Sequence, residues 1–269
     1  MLHASARSAD PPLVLLHPLG STGVTSWTPL TNAFEAAGYR VSAPDLPGHG
    51  VARHIPFTWE NARATVDAAA RQFAPDKPVL VGLSLGAATA MYSARQQPSS
   101  FAGLVLAGAG ACWNDRSVRR GLTLAAGAGA LLAAAGRREP LAHAAGVRGR
   151  DLLTAARTTD VAPAQLWRAA RCLTRFDVRN TPPPPVPAAV IVLTEDRRMP
   201  PGLQRALARY MGCPHIDVAA DHDAPVRETA RFSDGLRAAL EVLAVNEELR
   251  RPVSWRGGTN APIEGADRL

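Results

Sequence analysis

Pro78-Val79-Leu80-Val81-Gly82-Leu83-Ser84-Leu85-Gly86 reads as a buried strand that runs straight into Gly-x-Ser-x-Gly. A strand that ends this way and continues into a helix holds a serine in a sharp, strained turn, with its hydroxyl lifted above the sheet. Ala87, Ala88, Thr89, Ala90 and Met91 are good or acceptable helix formers, so the strand-turn-helix context is present. Gly82 and Gly86 allow strand and helix to approach closely, and the helix start points its N–H groups at the serine. The competing reading is a plain tight turn, because small residues recur by chance in an alanine-rich chain. The context favours Ser84 as a nucleophile.

Outward from this elbow, short apolar runs alternate with helical patterns. Leu13-Val14-Leu15-Leu16 is a continuous run, as expected of a strand covered on both faces. A Gly/Ser/Thr loop follows, then a helix expected over about 30–37 and stopped by Gly38. A second strand is expected over 39–44, ending in the turn Asp45-Leu46-Pro47-Gly48-His49-Gly50. Ala62, Val66, Ala69 and Phe73 share one helical face. Residues 101–107 read as another buried strand and Ala189-Val190-Ile191-Val192-Leu193 as a later one. A helix over about 202–211, a strand at His215-Ile216-Asp217-Val218 and a final amphipathic helix over about 226–249 complete the pattern. This alternation predicts an α/β fold, a mostly parallel sheet with helices on both faces. The rhythm breaks over 112–181, which is helical in character and predicted to insert above the C-terminal strand ends, where ligands bind in open sheets. The expected organisation is a core over 1–111 and 182–250, a helical cap over 112–181 and a flexible tail over 251–269.

A serine hydroxyl needs a base within hydrogen-bond reach, and the base needs an acidic partner. Asp196 follows the strand at 189–193, and His222 follows the strand at 215–218. Parallel strands put all their C-terminal ends on one side, so both emerge on the edge that carries Ser84. Glu195, its neighbour, competes with Asp196 as the acid. Asp221 and Asp223 read as solvated charges, and His17 and His49 as turn residues bonded to nearby backbone. His54, His143 and His215 carry no motif.

From residue 13 to about 249 the chain resembles the α/β-hydrolases with a Ser-His-Asp triad. His17-Pro18-Leu19-Gly20 looks like that family's oxyanion turn, and Asp45-Leu46-Pro47-Gly48-His49-Gly50 is similar to its Asp-x-x-Gly-x-Gly turn. Gly82 to Gly86 matches the nucleophile elbow, Asp196 the acid and His222 before Ala224-Pro225 the base. The resemblance implies Ser84 as nucleophile, His222 as base, Asp196 as orienting acid and the N–H groups of Leu19 and Leu85 as the oxyanion hole. Pro18 departs from the family's usual glycine and removes one donor. Too few residues precede Leu13 for the two antiparallel strands that open the family's full sheet, so six parallel strands are expected.

The implied chemistry is hydrolysis of a carboxylic ester, with thioesters and acylglycerols behind, without cofactor or metal. Leu122, Leu124, Leu131 and Leu132 would line an acyl pocket, with His17, Trp113 and Trp167 beside it. The rivals are a cofactor-free haloperoxidase or C–C bond hydrolase on the same triad, and a non-catalytic small-molecule-binding protein.

Composition sets the outer bounds. The chain has 269 residues, 46% of them hydrophobic, enough for a sizeable core. Its net charge of +7 comes almost wholly from scattered arginines, Lys77 being the only lysine, and no nucleic-acid motif accompanies them. Cys112, Cys172 and Cys213 share no metal or redox spacing and read as small buried hydrophobes. With no secretory h-region near Met1 and no apolar stretch of membrane-spanning length, a cytoplasmic location is expected. The expected partner is a small ester with an apolar acyl group, with transient lipid-surface contact and no nucleic acid.

Overall fold

The computed structural model describes residues 10–114 and 163–250. In chain order these form β1 (Leu13–Leu16), α1 (Gly23–Ala36), β2 (Val41–Ser42), α2 (Trp59–Arg71), β3 (Val79–Leu83), α3 (Leu85–Gln96) and β4 (Gly103–Ala107). Further along the chain come α4 (Pro163–Thr174), β5 (Ala188–Leu193), α5 (Pro201–Met211), β6 (His215–Val218), α6 (Ala224–Arg227) and α7 (Thr229–Arg250). The six strands form one sheet in the order β2-β1-β3-β4-β5-β6, every pair parallel.

Every residue of β1, β3, β4 and β5 is buried, because helices cover both faces and each alternate side chain meets one of them. Leu13, Leu15, Val79, Val81, Val105, Ile191 and Leu193 pack with Trp27, Leu30 and Phe34 of α1 and Phe232, Leu236 and Leu240 of α7. Val14, Leu16, Leu80, Leu104, Leu106, Val190 and Val192 face the other way, onto Ala62, Val66 and Ala69 of α2, the alanine-rich side of α3 and Leu207 of α5. Each fully buried Leu, Val or Ile contributes about 1.5–3 kcal/mol through removal from water. Two apolar layers thus clamp the sheet and fix the heights of its strand ends.

Chain order reverses at β1. The chain leaves β1 toward β2 and then returns to place β3 on the opposite side. The loops after β1 and β3 therefore diverge at the C-terminal edge, the position where open parallel sheets bind ligands.

Three elements differ from the sequence expectation. Helix α1 starts at Gly23, well before residue 30, because Thr22 and Thr25 form a reciprocal cap: Thr22 Oγ1 accepts from the Thr25 N–H, and Thr25 Oγ1 accepts from the Thr22 N–H. The second strand shrinks to Val41–Ser42, since it lies at the sheet edge and pairs with β1 alone. The final helix is split at Glu228, whose φ of −131° leaves the helical region between α6 and α7.

Residues 111–113 and 176–178 are held together. Cys112 and Asp177 form an antiparallel bridge, the Trp113 N–H donates to Phe176 O at 3.1 Å, and the Val178 N–H donates to Ala111 O at 2.9 Å. Leu122, Leu124, Leu131, Leu132, His143 and the tail over 251–269 lie outside the described residues. No helix among the described residues is long and apolar enough to cross a membrane.

Candidate active site

Ser84 joins β3 to α3 with φ 56° and ψ −113°, and is the one non-glycine residue with positive φ among the described residues. Such a backbone costs about 1–3 kcal/mol and persists only where its surroundings impose it. Here they do. The Ser84 N–H donates to Ala107 O at the end of β4 (2.9 Å), and the Ser84 carbonyl accepts from the Ala87 and Ala88 N–H groups. A Cβ on Gly86 would stand 2.0 Å from Leu16 O, and one on Gly82 would stand 2.5 Å from Ala87 N. Only glycines allow α3 to press this closely on β1 and β3.

Asp196 and His222 meet from two loops. His222 Nδ1–H donates to Asp196 Oδ2 at 2.7 Å, with both side chains nearly buried. Asp196 Oδ1 accepts from the backbone N–H groups of Arg198 (2.8 Å) and Met199 (2.9 Å), so the carboxylate is clasped by its own loop. This bond selects the tautomer in which Nε2 of a neutral ring is free to accept a proton. The imidazole lies against Gly108, just past β4: a Cβ there would be 3.1 Å from His222 Cε1. Ser84 is tied to Ala107 and His222 rests on Gly108, so both adjoin the end of β4. Among the described residues, no hydrogen bond joins the imidazole to Ser84 Oγ.

The turn after β1 is built around two buried histidines. His17 Nδ1–H donates to Pro18 O (2.8 Å) and Nε2 accepts the Leu46 N–H (2.9 Å). His49 Nε2 accepts the Gly20 N–H (3.2 Å) and its Nδ1–H donates to Pro47 O (3.0 Å). Their rings meet edge to face, 4.9 Å apart. Burial, with His49 alongside, pushes the His17 pKa down to about 3, and burial also lowers that of His49. Both rings are thus neutral acceptors that cross-link the oxyanion-like turn to the turn at 45–50. Asp45 adds a second link, Oδ1 accepting from the Gly23 N–H and Oδ2 from the Val51 N–H, each at 2.8 Å. The Leu19 N–H donates to no hydrogen bond among the described residues, and Leu85 heads α3, where a backbone N–H has no intrahelical partner. Helix α4 lies over both turns: a Cβ on Gly48 would lie 2.7 Å from Gln165 Cβ, and one on Gly20 would lie 3.6 Å from Leu166.

Several sequence readings are corrected or decided. His17 is fully buried with both nitrogens bonded to backbone, which fits its reading as a turn residue. Trp113 is a core residue rather than a rim group: it is buried, and its indole N–H has no partner among the described residues. Trp167 is 40% exposed on α4, and Leu122 lies outside the described residues. Glu195 is exposed and Asp196 alone contacts the imidazole. Asp223 is not a free solvated charge but takes both ends of the Arg198 guanidinium. The three cysteines are half-buried free thiols, and burial raises each pKa, that of Cys213 to about 11. A cavity of about 240 Å³ between Trp59, Tyr92, Arg95, Phe176 and Tyr210 touches none of the three site residues. No group of three or more His, Cys, Asp or Glu side chains is placed to hold a metal among the described residues.

The sequence model of the alpha/beta hydrolase family matches residues 13–234. The chain belongs to the alpha/beta hydrolase family. Over 106 residues it is 41% identical to a pimeloyl-[acyl-carrier protein] methyl ester esterase of Aromatoleum aromaticum, a match covering 39% of this chain and 40% of that one. A protein of the same name from Methylococcus capsulatus is 34% identical over 110 residues, 39% of each chain. These matches span about two fifths of the length of the curated relatives. Among solved structures, the chain assigned as the non-heme bromoperoxidase BpoC of Mycobacterium tuberculosis H37Rv superposes with a TM-score of 0.71 at 20% identity, covering 88% of this chain and 94% of that one. A thermophilic esterase of Thermogutta terrifontis gives 0.68 at 22% identity, covering 87% and 90%. At these identities the structural likeness concerns the fold.

Proposed function

We propose that this member of the alpha/beta hydrolase family is a serine carboxylesterase, with Ser84 as nucleophile, His222 as general base and acid, and Asp196 as the orienting carboxylate. The observation that supports the reading is the 2.7 Å bond from His222 Nδ1 to Asp196 Oδ2, taken with a serine in a strained elbow at the end of a neighbouring strand.

The chemistry runs in two balanced halves. Ser84 Oγ turns toward His222 Nε2, gives up its proton and attacks the ester carbonyl, opening its π bond to an oxyanion. The N–H groups of Leu19 and Leu85 receive that oxyanion, and one such donor is worth about 3 kcal/mol. The tetrahedral centre collapses, the C–O bond to the alcohol breaks, and His222 returns its proton to the leaving oxygen. Water then repeats the cycle on the Ser84 acyl ester and frees the carboxylic acid. No cofactor or metal is needed. Pro18, with no N–H to offer, anchors the turn through its carbonyl on His17, which leaves Leu19 as the donor on that side.

For the substrate, the matched segment of the pimeloyl-[acyl-carrier protein] methyl ester esterases makes a methyl ester of a carrier-borne acyl chain the first compound to examine. Simple esters with an apolar acyl group come next, and the carrier thioester itself is expected to survive.

A fluorophosphonate should label one serine per chain, and Ser84→Ala should abolish labelling while leaving the circular dichroism spectrum unchanged. A series of para-nitrophenyl esters then measures acyl-chain preference, and methanol release against carrier release tells oxygen ester from thioester cleavage. Unchanged turnover in Ser84→Ala overturns the proposal.

A further inference from the structure

Gln204, on the buried face of α5, has no exposed surface, and the triad chemistry does not call for it. Its amide is fully engaged. Oε1 accepts the Leu193 N–H at 2.9 Å, while Nε2 donates to Met199 O at 2.7 Å and to Asp196 Oδ2 at 3.2 Å, with Leu193 O 3.4 Å away. The amide orientation is determined. Exchanging its oxygen and nitrogen would set N–H against the Leu193 N–H and aim the oxygen at acceptors alone. A buried amide is costly to desolvate unless every partner is met, and here each partner belongs to the end of β5 or to the loop that carries the acid.

We infer that Gln204 is a positioning residue for Asp196, holding the carboxylate so that Oδ2 meets His222 Nδ1–H. The inference rests on the triad reading above. Oδ1 is taken by two backbone N–H groups, so Oδ2 is the oxygen divided between Gln204 and His222. Without the side-chain donor, the backbone amides pin one oxygen only and the carboxylate swings about its χ2 torsion. The imidazole then loses the fixed acceptor that keeps its proton on Nδ1.

The test compares Gln204→Met, similar in size without the amide, and Gln204→Glu, nearly isosteric, in the full chain. Rates are normalised to fluorophosphonate-titrated serine, so loss of folded protein does not count. Gln204→Met is expected to lower kcat/KM by about ten- to a hundredfold, mainly through kcat. It should also move the downfield NMR resonance of the His222 Nδ1 proton. In Gln204→Glu the new carboxyl donates to Asp196 while protonated and repels it once ionised, so the variant-to-wild-type ratio of kcat/KM should fall as pH rises. Should Gln204→Met fail to fold, that pH-dependent ratio decides. Wild-type kcat/KM per titrated serine, an unmoved resonance or a pH-independent ratio would each overturn the inference. Retained turnover in Ser84→Ala would instead sink the triad reading. The resonance then still decides the case of Gln204: moved, it supports the contact, and unmoved, it refutes it.

Discussion

Arg198 grips Asp223 with both ends of its guanidinium fork, Nη1 to Oδ1 at 2.9 Å and Nη2 to Oδ2 at 2.7 Å. The pair ties the loop of Asp196 to the loop of His222, each partner standing within two residues of a triad candidate. With the side chains 48% and 28% exposed, the bridge is worth at most about 1 kcal/mol in water. Arg198→Ala should therefore leave the melting temperature almost unchanged and lower kcat/KM up to about fivefold. The difference should shrink in 1 M salt, where the wild-type bridge is screened. Equal rates at low salt would show that the two loops hold their relation without it.

Asp196 and Glu195 are adjacent in sequence yet opposite in environment, one buried on the imidazole and the other in solvent. Asp196→Asn should lower kcat by about 10⁴-fold through the wrong imidazole tautomer, with the fold retained. Glu195→Gln should leave kcat within about twofold, as expected of a solvent-exposed charge. Steady-state kinetics on a para-nitrophenyl ester checks both, and a comparable loss in Glu195→Gln would remove Asp196 from its assigned place.

The neutral histidine pair gives stability a pH dependence of definite sign. His17 has its folded pKa pushed down to about 3 and His49 is lowered too, whereas in the unfolded chain both titrate near 6.5. Between those values the unfolded state binds more protons, so stability is full above about pH 6.5 and falls as pH drops below it. His17 contributes a slope of about 1.4 kcal/mol per pH unit in that window, and His49, lowered as well, adds to it with the same sign. Urea unfolding at pH 7, 6 and 5 measures the slope. His49→Gln, whose amide oxygen can still accept the Gly20 N–H, should make that slope shallower. A stability that does not change between pH 7 and 5 would contradict the buried neutral pair.

The strands were legible because burial on both faces demands unbroken apolar runs, and β1, β3, β4 and β5 are such runs. The places of Ser84, Asp196 and His222 just past strand ends were legible because parallel strands deliver their C-terminal ends to one edge. What escaped the sequence reading depends on partners distant in the chain. Gln204 looks like any polar helix residue until the acid loop folds over it. Arg198 and Asp223 are ordinary charges 25 positions apart. Trp113 is of a type common at pocket rims, but it is buried in the apolar core. The start of α1 was a missed cap rather than a tertiary effect: Thr22 and Thr25 stand at capping spacing, a pattern the Gly/Ser/Thr composition of the loop obscures.

Gly108 offers the sharpest test of how the end of β4 sets the site. Its φ is +55°, and a Cβ would lie 3.0 Å from Leu83 Cδ1, 3.1 Å from His222 Cε1 and 3.2 Å from His222 Nδ1. A methyl group there meets the imidazole on the side that bonds Asp196, and alanine also resists the left-handed backbone. Leu83 belongs to a packed strand and has little room to yield, so the ring must move. A 1 Å displacement of a catalytic group costs about a hundredfold in rate. Gly108→Ala should therefore lower kcat by about that factor and slow fluorophosphonate labelling of Ser84 in parallel, because both need the base. Strain and crowding together should destabilise the fold by about 1–3 kcal/mol, measurable by thermal unfolding. Near-wild-type labelling in a folded Gly108→Ala protein would mean that His222 does not act from the position it holds against β4.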